Sequence, residues 1–97
     1  MSIERHDLNE TMSKVVEHNG TVYVAGMTAA DKTLGKKEQT EQVLAKIDGY
    51  LARGGTNKSK LLAATIYISD MAQKPAMNEA WSAWVDRRNP PTRACVA

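Results

Sequence analysis

The 97-residue sequence contains a single cysteine, Cys95, so no disulfide can form within the chain. Zinc sites built from several thiolates are excluded for the same reason, and so low a cysteine content is typical of a reducing compartment. No stretch approaches the roughly 18 consecutive apolar residues of a membrane-spanning helix. The charged residues 1–7 also lack the apolar segment of a signal peptide. We therefore expect a cytoplasmic protein without a membrane partner.

The net charge of the chain is also small. Thirteen lysines and arginines against eleven aspartates and glutamates leave a formal charge of +2. There is no basic stripe and no run of aromatic residues, so we expect no nucleic-acid partner. Residues 49–97 contain seven basic and three acidic side chains, whereas residues 1–48 contain six and eight. The C-terminal half is therefore the better location for an anionic ligand.

Hydrophobic residues make up 42% of the chain and charged residues 25%, which is typical of one folded domain. Residues 3–18 have a polar start and then apolar positions such as Val15, where we place a first strand. Asn19-Gly20 predicts a hairpin turn, because both residues tolerate positive φ. The β-branched and aromatic residues 21–25 predict the second strand.

The spacing of the apolar residues changes after this hairpin. From Lys37 onwards, apolar residues recur at three- and four-residue spacing, which predicts an amphipathic helix. Gly54-Gly55 ends that helix, because glycine accepts the conformation of a C-terminal cap. Residues 61–68 then form a nearly continuous apolar run, which predicts a strand buried on both faces.

A second helix is predicted from Pro75, because proline suits a first helical turn. Its apolar residues include Trp81 and Trp84, three positions apart, for which we favour core packing over ligand stacking. Residues 92–97 look like a last strand. The order β-β-α-β-α-β predicts a two-layer α+β domain, in which two helices cover one face of a small mixed sheet.

The other face of this sheet is also apolar. Tyr23 and Tyr67 lie between apolar neighbours such as Val22 and Ile66, and adjacent strand residues point to opposite faces. A sheet with two apolar faces and helices on only one of them requires a further cover. We therefore predict that self-association buries the uncovered face.

Five segments, in this order, resemble segments of the Rid/YjgF family of reactive intermediate deaminases. They are residues 20–26 (GTVYVAG), 39–51 (QTEQVLAKIDGYL), 65–70 (TIYISD), 77–81 (MNEAW) and 91–96 (PTRACV). The resemblance implies a chorismate-mutase-like fold and a single domain over residues 1–97. It also implies a final strand, with a water-positioning carboxylate, beyond Ala97. The domain is thus expected to continue past that residue or to be truncated there.

The same resemblance implies a homotrimer with ligand clefts between subunits. Its implied reaction is the hydrolysis of enamine or imine intermediates, such as 2-aminoacrylate and 2-iminopropionate, to a 2-oxo acid and ammonia. No cofactor or metal takes part in that reaction. The alternative is a trimer of the same fold that binds small carboxylates without turnover.

Arg93 is the first candidate for the site, because guanidinium binds a carboxylate in a planar, bidentate fork. A surface salt bridge is the alternative role for an arginine, and the resemblance favours the ligand role. Cys95 shares a strand face with Arg93, and we assign contact with the reacting group to its main chain. A buried, small apolar residue remains the simpler role for its side chain. The family's aromatic hydroxyl in the first strand corresponds to Ser13 or is absent.

The sequence does not select an acid–base residue. Glu17, Asp31 and Glu79 are candidates, and for each a solvated surface position is the default. A nucleophilic role for the cysteine would require a neighbouring base, and neither His6 nor His18 has a recognisable partner spacing. Neither histidine has metal-ligand spacing either, so no metal site is predicted.

Overall fold

Three strands at the start of the chain, β1 (Glu4–Leu8), β2 (Ser13–His18) and β3 (Thr21–Val24), form an antiparallel ladder in sequence order. The computed structural model describes residues 2–97. The predicted hairpin turn is confirmed, because Asn19 and Gly20 adopt φ of 53° and 76° and connect β2 to β3. These left-handed conformations match the twist of the two flanking strands.

Strand β1 lies in the polar stretch where the sequence predicted no separate strand. Its residues, ERHDL, are mostly charged and have no continuous apolar face. The strand forms because its backbone pairs with β2, with Glu4 opposite Glu17 and His6 opposite Val15. Val15 is completely buried, so β1 is stabilised by the ladder rather than by its own side chains.

Two later strands, β4 (Ala63–Tyr67) and β5 (Thr92–Val96), pair in parallel. The strand predicted over residues 61–68 is confirmed in its central part. Burial on both of its faces is not found in the single chain, because the pattern alternates. Ala64 and Ile66 are half-buried, whereas Tyr67 is 80% exposed.

Two helices, α1 (Lys36–Arg53) and α2 (Lys74–Trp84), contact each other and cover one side of the strands. Pro75 lies in the first turn of α2, as predicted. The helices and strands give the predicted two-layer α+β architecture, and β1 adds one strand to the predicted order. No helix within residues 2–97 has the length and apolar character that crossing a bilayer requires.

The core lies between the helices and the inner faces of the strands. Its fully covered apolar residues are Val15, Ala29, Leu44, Leu51, Ile68, Met77 and Ala80. At the C-terminal end of α1, the chain passes directly over the inner face of the ladder. A Cβ atom at Gly54 would lie only 2.7 Å from Cγ1 of Val22 and 3.3 Å from Cγ1 of Val15. Only glycine fits here without displacing those side chains.

Strands β3 and β4 face each other across a groove of about 820 Å³. Residues at the starts of both strands, including Thr21 and Ala63, lie together at one end of the groove. Residues at their ends, including Val24 and Ile68, lie together further along. The two strands therefore run in the same direction. The mixed antiparallel and parallel pairing was expected, but it is divided between two ladders.

The outer faces of both ladders carry exposed apolar side chains. Tyr23 on β3 is 58% exposed, and Tyr67 on β4 points to the same side. The predicted placement of these tyrosines, away from the helices, is confirmed. The strand expected beyond Ala97 lies outside the described residues and stays a prediction.

Candidate functional site

Arg93 lies near the start of β5, and its side chain extends toward the helix layer. Its Nη1 donates a hydrogen bond to Oδ1 of Asn78 on α2 at 2.7 Å. Its guanidinium carbon lies 5.6 Å from the centroid of the Trp81 ring. Asn78 and Trp81 are three residues apart and share one face of α2. The helix therefore holds the arginine with two neutral side chains.

Among the residues that the structure describes, no carboxylate compensates the charge of Arg93. Three ion pairs occur among residues 2–97, and none of them includes this arginine. Arg53, in contrast, lies 3.5 Å from the carboxylate of Asp7. Because a guanidinium stays protonated in proteins, Arg93 presents an exposed and unneutralised positive charge.

Cys95 is two residues beyond Arg93 and lies on the same face of β5. In the strand register it is opposite Ile66, whose side chain points to the helix layer. Its free thiol is half-buried and forms no hydrogen bond within the described part of the chain. This environment fits a small apolar side chain and does not supply the base that a nucleophilic cysteine would require.

The main chain of Cys95 faces the open edge of β5. The N–H of Thr92 donates to the C=O of Leu62, and the C=O of Val96 accepts from the N–H of Ile68, so both groups point toward the β4 side. Successive residues of an extended strand direct their peptide groups to opposite sides. The N–H and C=O groups of Arg93 and Cys95 therefore point away from β4, where β5 has no other strand as a partner in residues 2–97.

Ser13 is not brought to Arg93 within one chain. It begins β2, in the other ladder, where it is paired with Leu8. Strand β3, the groove and β4 separate it from β5. Neighbouring strands are about 4.8 Å apart, so both residues can contact one small ligand only if Ser13 comes from another subunit.

None of the three acid–base candidates contacts Arg93 or Cys95. Glu17 lies on β2, where its Oε2 is 2.5 Å from Nε2 of His6. Glu79 is exposed on α2 and pairs with Lys37 at 3.4 Å. Asp31 lies in the exposed loop before α1. The described residues therefore supply an anion-binding group and main-chain groups, without an adjacent carboxylate.

Asp31 instead stabilises its own loop. Its Oδ1 accepts hydrogen bonds from the hydroxyl of Thr33 at 2.6 Å and from the Thr33 N–H at 3.0 Å. The hydroxyl first, and then the N–H, favour the ionised carboxylate and lower its pKa below the ordinary value. This shift has a local structural cause and does not mark a proton-transfer group.

One group of described side chains has the composition of a metal site. Glu4, His6 and Glu17 lie on the helix-facing side of the β1–β2 ladder, with their ligand atoms within 4.8 Å of one another. The sequence spacing did not reveal this group, because strand pairing brings residues 11 positions apart together. His6 and Glu17 are hydrogen-bonded to each other, and we assign no metal to this group.

Asn78 was not among the residues predicted for the site. Its only signal was its place in the MNEAW segment. Trp81 was assigned to core packing, and its ring lies 5.5 Å from that of Trp84, with both half-buried. Trp84 donates its Nε1–H to Asp48 at 2.9 Å. Only Trp81 lies against the guanidinium of Arg93, so the two tryptophans differ in role.

Known proteins resemble this chain over almost its whole length. The model of the family described as Endoribonuclease L-PSP matches residues 4–97. A RutC family protein from Haemophilus ducreyi is 43% identical over 94 residues, which are 97% of this chain and 80% of that protein. The match thus includes both ladders, both helices and the Arg93 site.

Solved structures agree with these matches. A member of the YjgF protein family from Neisseria meningitidis is 38% identical and superposes with a TM-score of 0.95, covering 100% of this chain and 82% of that one. RidA from an Antarctic Psychrobacter species is 27% identical with a TM-score of 0.80, covering 89% and 73%. The fold described above is therefore the fold of these proteins.

Proposed function

The chain belongs to the Rid/YjgF family, whose family model is described as endoribonuclease L-PSP, and on this premise we propose that it is a deaminase of reactive enamines and imines. Its substrates are of the 2-aminoacrylate and 2-iminopropionate type, and its products are a 2-oxo acid and ammonia. We place this reaction in the cytoplasm, where a half-buried, unpaired cysteine is stable.

The reaction is a hydrolysis without a change in oxidation state. Protonation of the enamine carbon and loss of one proton from nitrogen convert 2-aminoacrylate to 2-iminopropionate. Water then adds to the imine carbon, both of its protons move in turn to nitrogen, and the C–N bond breaks to release ammonia and pyruvate. The imine carbon is already electrophilic, so the protein has to hold the substrate, favour the proton transfers and retain one water molecule.

The observation that carries the proposal is the unneutralised guanidinium of Arg93 beside the open main chain of Cys95. Arg93 binds the substrate carboxylate, because a bidentate fork fixes both the position and the plane of a 2-imino acid. The N–H or C=O of Cys95 orients the reacting nitrogen or the attacking oxygen.

The proposed active unit is a homotrimer. Ser13 of a neighbouring subunit contacts the substrate, because Ser13 of the same chain is separated from Arg93 by β3, the groove and β4. The exposed apolar outer face around Tyr23 and Tyr67 supports association through this side. The proposed cleft thus combines β5 of one subunit with β2 of the next.

The test measures ammonia release when an amino-acid dehydratase generates 2-aminoacrylate in the presence of the protein. We expect release faster than spontaneous hydrolysis, and a loss of at least about 100-fold in kcat/KM for Arg93→Ala, because the carboxylate anchor is removed. Arg88→Ala is the matched control, because Arg88 is also exposed but lies outside the site. A verified trimer that leaves the spontaneous rate unchanged would contradict the deaminase.

A carboxylate-binding module without turnover is the second candidate. It is favoured by the absence of any carboxylate contact with Arg93 or Cys95 among residues 2–97. Calorimetry with 2-oxobutyrate or benzoate distinguishes the two functions. Binding that disappears in Arg93→Ala, together with no catalysis by the wild-type chain, would support the module.

A further inference from the structure

The two groups that hold Arg93 share one property, which is that neither is charged. Asn78 accepts the hydrogen bond from Nη1 through its amide oxygen, and Trp81 presents its ring to the guanidinium. Both are half-buried on α2. An aspartate at position 78 would have nearly the same shape and would also accept this bond, so the amide is not required by geometry alone.

Helix α2 is well suited to act as a fixed support. Met77 and Ala80 flank Asn78 along the helix and are each only 2% exposed. They anchor this part of α2 to the core, so the amide oxygen cannot follow the arginine if its side chain moves. One N–H of Nη1 is used by Asn78, which leaves the edge formed by Nε and Nη2 with two parallel donors.

We propose that Asn78 is a positioning residue that fixes the guanidinium of Arg93 without neutralising it, with Trp81 as the second, stacking support. This inference rests on the proposed carboxylate-binding role of Arg93. A carboxylate at position 78 would form an internal ion pair and compete with the substrate carboxylate for the same cation. The neutral amide holds the side chain in place and leaves its charge for the ligand.

The experiment compares Asn78→Asp with the wild-type chain, because this substitution changes charge with almost no change in shape. We expect KM for 2-aminoacrylate, and Kd for pyruvate measured by calorimetry, to rise at least tenfold. We expect kcat to stay within about twofold, since the internal ion pair opposes binding rather than the chemical step. Asn78→Ala should raise KM less than Asn78→Asp, because it removes the support without adding a competing charge.

Asn57→Asp is the matched control. Asn57 caps a short 3₁₀ turn by accepting a bond from the Ser59 N–H, and aspartate and asparagine cap almost equally well. This variant changes the net charge by the same amount outside the site, so we expect wild-type Kd. In an Arg93→Ala background, Asn78→Asp should cause no further change in Kd.

Three results would overturn the inference. They are an unchanged Kd in Asn78→Asp, an equal change in Asn57→Asp, and a full effect of Asn78→Asp in the absence of Arg93. The inference and the proposed function fail in different ways. A wild-type chain that binds pyruvate without turnover contradicts the deaminase, and the Kd comparison still decides the role of Asn78. A wild-type chain that binds no carboxylate contradicts both.

Discussion

The antiparallel ladder β1–β3 and the parallel pair β4–β5 differ in how their side chains are satisfied. In the antiparallel ladder, Val15 is completely buried, and His6 is bonded to Glu17. In the parallel pair, Tyr67 is largely exposed, and the contacts of Arg93 within residues 2–97 are with neutral groups. Both regions have an exposed tyrosine on the outer face, and the parallel pair also presents a guanidinium without an ionic partner among residues 2–97. The fully buried core valine therefore lies in the first region, and the anion-binding group of the proposed site lies in the second.

The largest expected effect is a change of oligomeric state caused by a substitution on the exposed apolar outer face. Tyr67→Glu should convert the proposed trimer to a monomer, because the new carboxylate would be buried against an apolar partner surface at a cost of several kcal/mol. Light scattering after size-exclusion chromatography measures the mass. Tyr67→Phe should remain a trimer. If the wild-type chain is itself a monomer, the outer face has another role.

Matched valine substitutions compare the two ladders directly. Val15→Ala should lower the free energy of unfolding by about 2–3 kcal/mol, because Val15 is fully buried and its truncation leaves a cavity. Val96→Ala on β5 should cost less, since Val96 is 39% exposed in the single chain and is covered only by the proposed subunit interface. Urea denaturation of both variants provides the values. Equal losses would show that association buries the outer face of β5 as completely as the core.

Alanine substitutions at two glycines only five residues apart should change the stability of the fold in opposite directions. Gly54→Ala should destabilise the fold by about 1–3 kcal/mol, because the added Cβ overlaps Val22 in the antiparallel ladder. Gly49→Ala should stabilise it by about 0.5–1 kcal/mol, because Gly49 lies inside α1 with open space around it. Thermal denaturation monitored by circular dichroism tests both. A neutral Gly54→Ala would mean that the contact under α1 can relax.

The stacking support of Arg93 is expected to have a smaller effect. Trp81→Leu should raise KM about two- to fivefold, because an exposed cation–π contact is worth about 0.5–1 kcal/mol. Trp81→Phe should recover part of this loss, since it retains an aromatic face. Steady-state kinetics of both variants is the measurement. Identical KM values for the leucine and phenylalanine variants would remove the stacking role.

The smallest expected effect is a change in acid stability from Asp31, in the exposed loop. Its folded-state pKa is lowered by the Thr33 hydroxyl and N–H. A lowered pKa means that the stabilisation is present above the pKa of the unfolded chain and is lost as pH falls through the folded-state value. Asp31→Asn should therefore show a slightly weaker loss of stability below about pH 4. Urea midpoints at pH 7 and pH 3 give the comparison, and an unchanged pH dependence would contradict it.

The parts of the fold that were predicted correctly are those marked by residues whose conformational preference acts within a few positions of the sequence. Asn19-Gly20 marked the hairpin, Gly54-Gly55 marked the end of α1, and Pro75 marked the start of α2. The five segments of the Rid/YjgF resemblance also predicted the family, which the comparisons confirm. Strand β1 was missed, because its charged residues carry no β-pattern and its stability comes from pairing with β2.

The site was predictable to a lesser extent. Arg93 and Cys95 were named from their strand, and their shared face follows from the two-residue period. The partners of Arg93 could not be named, because Asn78 is 15 residues away and reaches it only when α2 lies against β5. The pairing of His6 with Glu17 was missed for the same reason, since it depends on the register of two strands.

The sequence by itself determined the hydrophobic periods, the turn and cap residues, the low net charge and the position of the one arginine in its apolar strand. These properties depend on residues within a few positions of one another, where backbone geometry sets which side chains share a face. Within residues 2–97, the tertiary structure alone decided that this arginine has neutral partners, that the Cys95 main chain has no neighbouring strand on its side of β5, and that the ladders are separated by a groove. Those properties depend on how helices and strands distant in sequence pack together, and no local pattern encodes the contacts that result.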